Sequence, residues 1–444
     1  MLRVQTMNTL NTIRRRAVTV GLWLALGCTL SCNQEPKGLP ASQATQQDVI
    51  LIVIDTLRGD ALERSHTPRL DALAEAGQQT LAWAPSTWTS PSTLSLLTGS
   101  HVREHGWDFP FPDKLDEGTR YPKLQGHPTL AQVMKQAGYT TLGAYANPML
   151  SRKLGWERGF ESWRRTSDFK MPQRLKKMLR KVQPDKPLFL YVHYLGPHQP
   201  LNPSPKAGAR WEVDFEFLEQ FDEGLKRKHI KNGPEYGKEQ YYRAYHAEVE
   251  DSDRRLNKLW PLLGDRLDDA LVIVTSDHGE MLGEHDVFGH GSHVWDQLTR
   301  VPLIVKGTEQ TLPDVMSTTA IPDLITRSVG IEHEWPESVE TTWPLVSQRE
   351  GMLAVSGDGA LRGIWFDPDA RDVEVYNVKD DPEETARLVG IPDRAEVHMI
   401  RGLFELSRPE RQVQAEEGEL DDDTRSLLEE LGYMGVEDDA QTGH

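Results

Sequence analysis

The chain alternates short, dense apolar runs with amphipathic stretches. "DVILIVIDTLRGD" (48–60) is a continuous β-branched run ending in Asp55, the pattern of a parallel strand buried on both faces. "TPRLDALAEAG" (67–77) has helical spacing and a glycine stop. "SPSTLSLLTG" predicts a further helix start, with Ser90 and Ser92 as candidate caps and Pro91 suited to the first turn. "TLAQVMKQAGYTTLGAYA" (129–146) predicts a helix, a Gly-Tyr turn and a strand. "KPLFLYVHYLGPHQP" (186–200) predicts a core strand running into a loop, and "EQYYRAYHAEVEDSDRRLNKLWPLL" (239–263) a long amphipathic helix. "DALVIVTSDHGE" (269–280) and "RVPLIVKG" (300–307) predict two more strands.

Strands alternating with helices over about 260 residues indicate an α/β domain with a large, mostly parallel sheet flanked by helices. In such sheets ligands bind beyond the carboxyl ends of the strands, and Asp55 and Asp277 both stand at such ends. After about residue 345 the pattern changes to short strands, "MLAVSGDGALRGIWFD" and "DVEVYNVKDDPEETARLVG", with a turn and helix after them. The expected organisation is a larger α/β domain over 48–345, then a smaller antiparallel C-terminal subdomain with an acidic tail over 346–444. No internal repeat stands out.

Charge and cysteine usage narrow the partners. A formal net charge of −18 argues against nucleic acid and makes any anion site depend on local cations. The two cysteines, Cys28 and Cys32, follow Arg14, Arg15, Arg16 and the apolar "AVTVGLWLALG". Residues 1–32 thus read as a signal peptide with a lipobox-like end, and 33–47 as a flexible tether. The expectation is an exported protein of a bacterial cell envelope, held at a membrane by a lipid or signal anchor, or else secreted. The remaining domain has no cysteine, hence no disulfide framework.

"STWTSPSTLSLLTG" (86–99) places several hydroxyls before a helix. A hydroxyl is a weak nucleophile at neutral pH unless a base or a metal activates it. Asp55, Asp277 and His278, with a nearby hydroxyl, form a mixed oxygen and nitrogen donor set suited to a hard or borderline divalent cation. Taken singly, each aspartate could equally cap a following helix or close a turn; both at strand ends, with hydroxyls between them in sequence, favour chemistry.

From Asp48 to the C-terminal subdomain the chain resembles the sulfatases of the alkaline phosphatase superfamily. "DVILIVIDTLRGD", "TSPSTLSLLTG", "GYTTLGAYANP", "YVHYLGPHQP", "VTSDHGEMLGEH", "TRVPLIV" and "VEVYNVKDDPEE" carry the resemblance. It implies an alkaline phosphatase-like sandwich around a metal centre. The family's nucleophile pattern, Cys/Ser-x-Pro-Ser-Arg, falls on "TSPST" with Thr89 as nucleophile and Thr93 in place of arginine. Thr89 cannot become formylglycine, so none is expected. The resemblance implies Asp55, Thr89, Asp277 and His278 as metal ligands. Thr56 stands where many sulfatases have a second aspartate, and His278 where they often have asparagine. This shifts the expected ion from calcium towards manganese or zinc, with calcium still open. His198 matches the family's histidine near the leaving group or the transferred anion, and His290 falls near its anion-binding lysine, with His293 as competitor. Asn147 is the nearest polar residue where the family's cation is absent; it either donates to substrate or caps the turn before Pro148.

Arg103 and His105 are open between the mouth of the site and a solvated loop. His246 and the carboxylates of "HAEVEDSD" read as a solvent-facing helix surface. The function that follows is metal-dependent hydrolysis of an anionic sulfate, phosphate or phosphonate ester on a small molecule, glycan or lipid. The alternatives are a phospho-group transferase at the envelope and an inactive, tethered binding protein.

Overall fold

The computed structural model describes residues 47–108, 120–122, 126–226, 235–340, 345–349, 352–356, 361–366, 373–388, 417–419 and 422–430. The expected signal peptide, both cysteines, all of the expected tether but Gln47, and the chain end beyond 430 lie outside the described residues. Among the described residues, no helix is long and apolar enough to cross a membrane.

Eight strands form the main sheet: β1 (Val49–Ile54), β2 (Gln78–Trp83), β3 (Thr140–Tyr145), β4 (Ser162–Arg165), β5 (Leu188–Tyr194), β6 (Leu271–Thr275), β7 (Arg300–Lys306) and β8 (Val315–Ser317). Their order is β8-β2-β7-β6-β1-β5-β3-β4. Only β7 runs against the rest, antiparallel to both β6 and β2. The mostly parallel sheet expected from the sequence is therefore present.

The continuous apolar strands have a simple cause. Successive side chains of a strand point to opposite faces, and here each face has its own core. Val49, Leu51 and Val53 of β1 join one cluster with Phe189 and Tyr191 of β5 and Leu271 and Ile273 of β6. Ile50, Ile52 and Ile54 join the other with Leu190, Val192, Val272 and Val274. Helix α1 (Thr89–Thr98) lays Leu94, Leu96 and Leu97 on the first face. Helix α2 (Glu235–Leu263) lays Tyr241, Tyr245, Val249, Leu256 and Leu259 on the second.

The second sheet holds β9 (Leu345–Arg349), β10 (Met352–Ser356), β11 (Leu361–Trp365) and β12 (Glu374–Asn377), all antiparallel. Ser347 Oγ ties β9 to the carbonyl of Ala84 at 2.6 Å. The guanidinium of Arg362, buried in β11, pairs with Asp296 at 3.2 Å and Glu384 at 3.0 Å, as a buried charge must. After β12 the chain turns through residues 378–388 without forming the expected helix there; residues 389 and 390 of that stretch lie outside the described residues. The acidic tail carries a short helix at Asp422–Glu430.

Two expectations are corrected. The "HAEVEDSD" face is not solvated: His246, Glu248, Asp251 and Asp253 are all buried. The carboxylates accept from backbone N–H groups of neighbouring segments, and His246 Nδ1 bonds Ser65 Oγ at 2.7 Å. Asp253 accepts from Arg69 N and Leu70 N, each at 2.9 Å, at the head of the helix Pro68–Glu75. Asp251 accepts from Ser204 N at 2.6 Å and Glu248 from Asn202 N at 3.0 Å. Ser90 and Ser92 do not cap α1 either: the helix begins at Thr89, and Ser92 Oγ donates back to the Ser86 carbonyl at 2.9 Å.

Candidate active site

Sheet register brings the polar residues together. Val53 pairs with His193 on one side and Thr275 on the other, and His193 pairs with Tyr145. Asp55, Asp277 and Asn147 therefore each lie one or two residues past the carboxyl ends of the parallel strands β1, β6 and β3. Strand parity puts Asp55 and His193 on the face that α1 covers. The chain turns sharply after Asp55 through Thr56, whose φ of 57° is left-handed, an outlier for a β-branched residue. Tyr245 of α2 clamps this turn, its hydroxyl donating to Thr56 O at 2.7 Å and accepting from Arg58 N at 2.9 Å.

Asp55, His193 and Asp277 each offer a ligand atom within 4.8 Å of the others, and all three are buried. His278 Nε2 stands 3.5 Å from Asp55 Oδ1 and 3.7 Å from Asp277 Oδ2. Those three atoms are buried and have no hydrogen-bond partner among the described residues. Two donors each about 2.1 Å from a shared ion stand about 3.0–3.5 Å apart, so the donor set fits a divalent cation. Its mixture of carboxylate and imidazole suits manganese or zinc at least as well as calcium.

The electrostatics give the same result. Burial works to raise the pKa of Asp55, but the hydrogen bond from His193 and the fields of His198, His193 and His278 outweigh it and hold the carboxyl well below the usual range. Asp277 is pushed up to about 8 by burial and by the neighbouring Asp55 charge. Burial and His290 hold His278 well below the ordinary imidazole value, and Nδ1 donates to Gly279 O at 2.9 Å, which leaves the lone pair on Nε2. Two buried carboxylates repel until a positive charge joins them.

Thr89 is fully buried at the first turn of α1. Asn147 connects it to the cluster. Its Oδ1 accepts from Met149 N at 2.9 Å, capping the turn that begins at Pro148. That orients Nδ2 to donate to Asp55 Oδ2 at 2.7 Å and to Thr89 Oγ1 at 3.0 Å. One amide thus does the capping with its oxygen and bridges hydroxyl and carboxylate with its nitrogen.

Three imidazoles gather above this centre. The ring of His290 lies 4.7 Å from that of His198 and 4.5 Å from that of His278. His290 Nδ1 bonds the buried carboxylate of Glu280 at 3.1 Å, and against the opposing effect of burial Glu280 raises its pKa. His198 is held down by burial and by His290. His293 is placed elsewhere, its ring stacked on Trp295 at 4.2 Å. His105 is buried, bonded to Ser95 Oγ at 2.9 Å, and is packing rather than mouth.

Three residues went unmarked in the sequence. His193 sits inside an apolar strand; the signal was its parity with Asp55, since an imidazole amid "LFLYVHY" has no other reason to be buried. Glu280 has a weaker signal, three residues after Asp277. Arg349 has none: it reaches over from β9, donates to Gly291 O at 2.6 Å, and lies over the ring of Trp88 at 5.3 Å.

Comparison with known proteins agrees with this architecture. The family model described as Sulfatase matches residues 47–327. The chain is 27% identical over 287 residues to the low-salt glycan biosynthesis sulfotransferase Agl7 of Haloferax volcanii, covering 59% of this chain and 54% of that one. It is 23% identical over 323 residues to the ulvan-active sulfatase of Formosa agariphila, covering 62% and 59%. The chain thus spans little more than half the length of these two relatives. The structure resembles that of BT4656 in complex with D-glucosamine-2-N,6-O-disulfate, with TM-score 0.62 and 17% identity over 82% of this chain and 97% of that one. It also resembles the phosphonate monoester hydrolase of Agrobacterium radiobacter, with TM-score 0.59 and 18% identity over 81% and 95%. At these identities the likeness establishes the fold, an alkaline phosphatase-like sandwich.

Proposed function

Since the chain belongs to the sulfatase family, we propose that it hydrolyses an anionic sulfate, phosphate or phosphonate ester with Thr89 as nucleophile. The observation that carries this reading is the bridge made by Asn147, which holds Thr89 Oγ1 beside the Asp55 carboxylate. Asp55 and Asp277, with His193 and His278, would hold a divalent cation, which when bound supplies Lewis-acid polarisation and lowers the pKa of a nearby hydroxyl.

Thr89 Oγ attacks sulfur or phosphorus in line, the ester S–O or P–O bond breaks, and the hydroxyl proton leaves to a base or to water. His290, held by Glu280 as a donor, gives its proton to the departing oxygen, and His198 beside it completes the imidazole face. Water then cleaves the threonine ester and restores the hydroxyl. A second reading follows from the name of Agl7, a sulfotransferase: the same first step with a glycan hydroxyl as acceptor.

The test is a panel of aryl sulfate, phosphate monoester, phosphate diester and phosphonate substrates with manganese, zinc and calcium. Metal-dependent turnover of one class, lost in Thr89→Ala and partly kept in Thr89→Ser, is the expected result. Turnover within tenfold of the native protein in Thr89→Ala would remove threonine as nucleophile. Faster product formation with an added glycan acceptor would favour transfer.

A further inference from the structure

At the far edge of the main sheet, β4 and the helix Met171–Leu179 enclose a cavity of about 590 Å³. Its walls carry Arg164, Arg174, Lys177, Arg180 and Lys181, with Glu161 as the one carboxylate. Residues 164–186 hold nine Lys and Arg against two Asp, in a protein whose net charge is −18. Among the described residues, none of the five cations is in an ion pair, whereas Arg58, Arg266 and Arg362 elsewhere all are.

Such crowding of like charge costs folding free energy unless something anionic offsets it. Protection of an edge strand explains one of these residues, because charges on the strand itself suffice to block pairing and Arg164 provides one. It does not explain why Arg174 and Lys177, on a separate helix, turn to the same hollow. Leu142 and Met178 give that hollow an apolar floor.

We propose that this cavity is a second anion-binding site, taking a segment of an oligosaccharide that carries sulfate or phosphate groups. The cations meet the anionic groups and the floor meets the C–H face of a sugar ring. The site is separate from the catalytic cluster: three strand spacings, roughly 14 Å, separate β1 from β4 across the sheet, and the cavity opens at the start of β3, whereas Asn147 follows its end. Concavity selects the class of ligand. A flat anionic bilayer would touch only the rim, although Phe169 nearby, 76% exposed, could insert into one. The proposal does not depend on the catalytic reading.

The test uses the full chain and a fluorescein-labelled, heparin-derived hexasaccharide, read by fluorescence polarisation across a salt series. An uncharged maltohexaose and vesicles of phosphatidylcholine with 30% phosphatidylglycerol serve as comparison probes. Arg174→Glu with Lys177→Glu is expected to weaken hexasaccharide binding at least tenfold and to flatten its salt dependence. The milder pair Arg174→Gln with Lys177→Gln should show a smaller loss of the same kind. A control pair of equal charge change at exposed positions away from the cavity, Lys206→Glu with Lys135→Glu, should change binding less than twofold. Turnover of a small aryl ester should stay unchanged in all of them. Equal weakening by the control pair would overturn the site in favour of overall charge. Unchanged hexasaccharide binding in both cavity pairs would overturn it outright, and if vesicle binding alone were lost in them, the patch would belong to a membrane.

Discussion

Replacing Asn147 by alanine isolates the contact on which the nucleophile assignment turns. The side chain is fully buried and hydrogen-bonds Asp55, Thr89 and the Met149 backbone. A bond to a charged acceptor contributes about 1.5–3 kcal/mol and a neutral one about 1 kcal/mol. The stability loss should therefore be about 3–5 kcal/mol, and thermal unfolding should drop by several degrees. The rate should suffer for a different reason. Thr89 Oγ1 loses the donor that fixes its rotamer against the carboxylates, and misplacing a reacting atom by about 1 Å costs on the order of 10²-fold. The assay is kcat and KM with the best ester of the panel, on protein whose metal content and folding have been measured. The expected result is kcat down on the order of 10²-fold with KM changed less than about threefold. A folded, metal-loaded variant that keeps kcat within threefold of the native value would refute the bridge as a catalytic device and leave it a turn cap.

Three further outcomes follow from the same structure. His193→Ala should weaken metal affinity on the order of 10–100-fold, read by chelator competition, and chelation should lower the melting temperature of the native protein because the ion binds only the folded state; no change in either would remove His193 from the donor set. His246, buried against Trp211 and bonded to Ser65 Oγ, has its pKa lowered by burial to about 3, so between about pH 6.5 and 3 the unfolded chain binds the extra proton and stability falls as pH falls. His246→Gln should flatten that acid limb, losing about 2–3 kcal/mol less than the native protein between about pH 6.5 and 4.5; parallel curves in denaturant titrations would refute it. Monoanionic esters should be turned over at least tenfold faster, by kcat/KM, than phosphate monoester dianions, and the reverse order would contradict the charge argument developed below.

The fold was legible wherever burial on both faces wrote an uninterrupted apolar run, as in β1, β5 and β6. It was illegible where a strand is half-buried or short. β2, "QQTLAW", opens with Gln78, whose side-chain amide donates to Gln310 O and accepts from Leu312 N, so its polar start hid a strand lying inside the sheet. The site divides in the same way. Asp55 and Asp277 were readable because a carboxylate ending an apolar strand is conspicuous. His193 is hidden inside an apolar strand, whereas His198 stands in a polar loop, although strand parity alone aligns His193 with Asp55. The acidic surface of α2 was misread for want of tertiary information: nothing local shows that Asp253 will meet the amides of Arg69 and Leu70, 183 residues or more away. Arg349 is the extreme case, supplied by a different sheet.

The departures from the family pattern acquire a shared meaning once the charges around Thr89 are considered together. Arginine is absent at Thr93, a cation is absent at Asn147, and His290 stands near where the family's lysine would fall. Against these losses the site retains three buried carboxylates, Asp55, Asp277 and Glu280. Glu280 is matched by His290, and one divalent cation would match Asp55 and Asp277, leaving little positive charge for substrate. Arg349 adds one guanidinium, but Asp108 pairs with it at 3.1 Å. A buried site in near balance accepts one further negative charge far more readily than two, because each unmatched charge in a low-dielectric setting costs several kcal/mol. Sulfate monoesters, phosphate diesters and phosphonate monoesters all carry a single negative charge near neutral pH, whereas phosphate monoesters carry two. The replacement of family cations by a hydroxyl, an amide and an imidazole already matched by Glu280 would therefore narrow the substrate by charge rather than by the element at its centre.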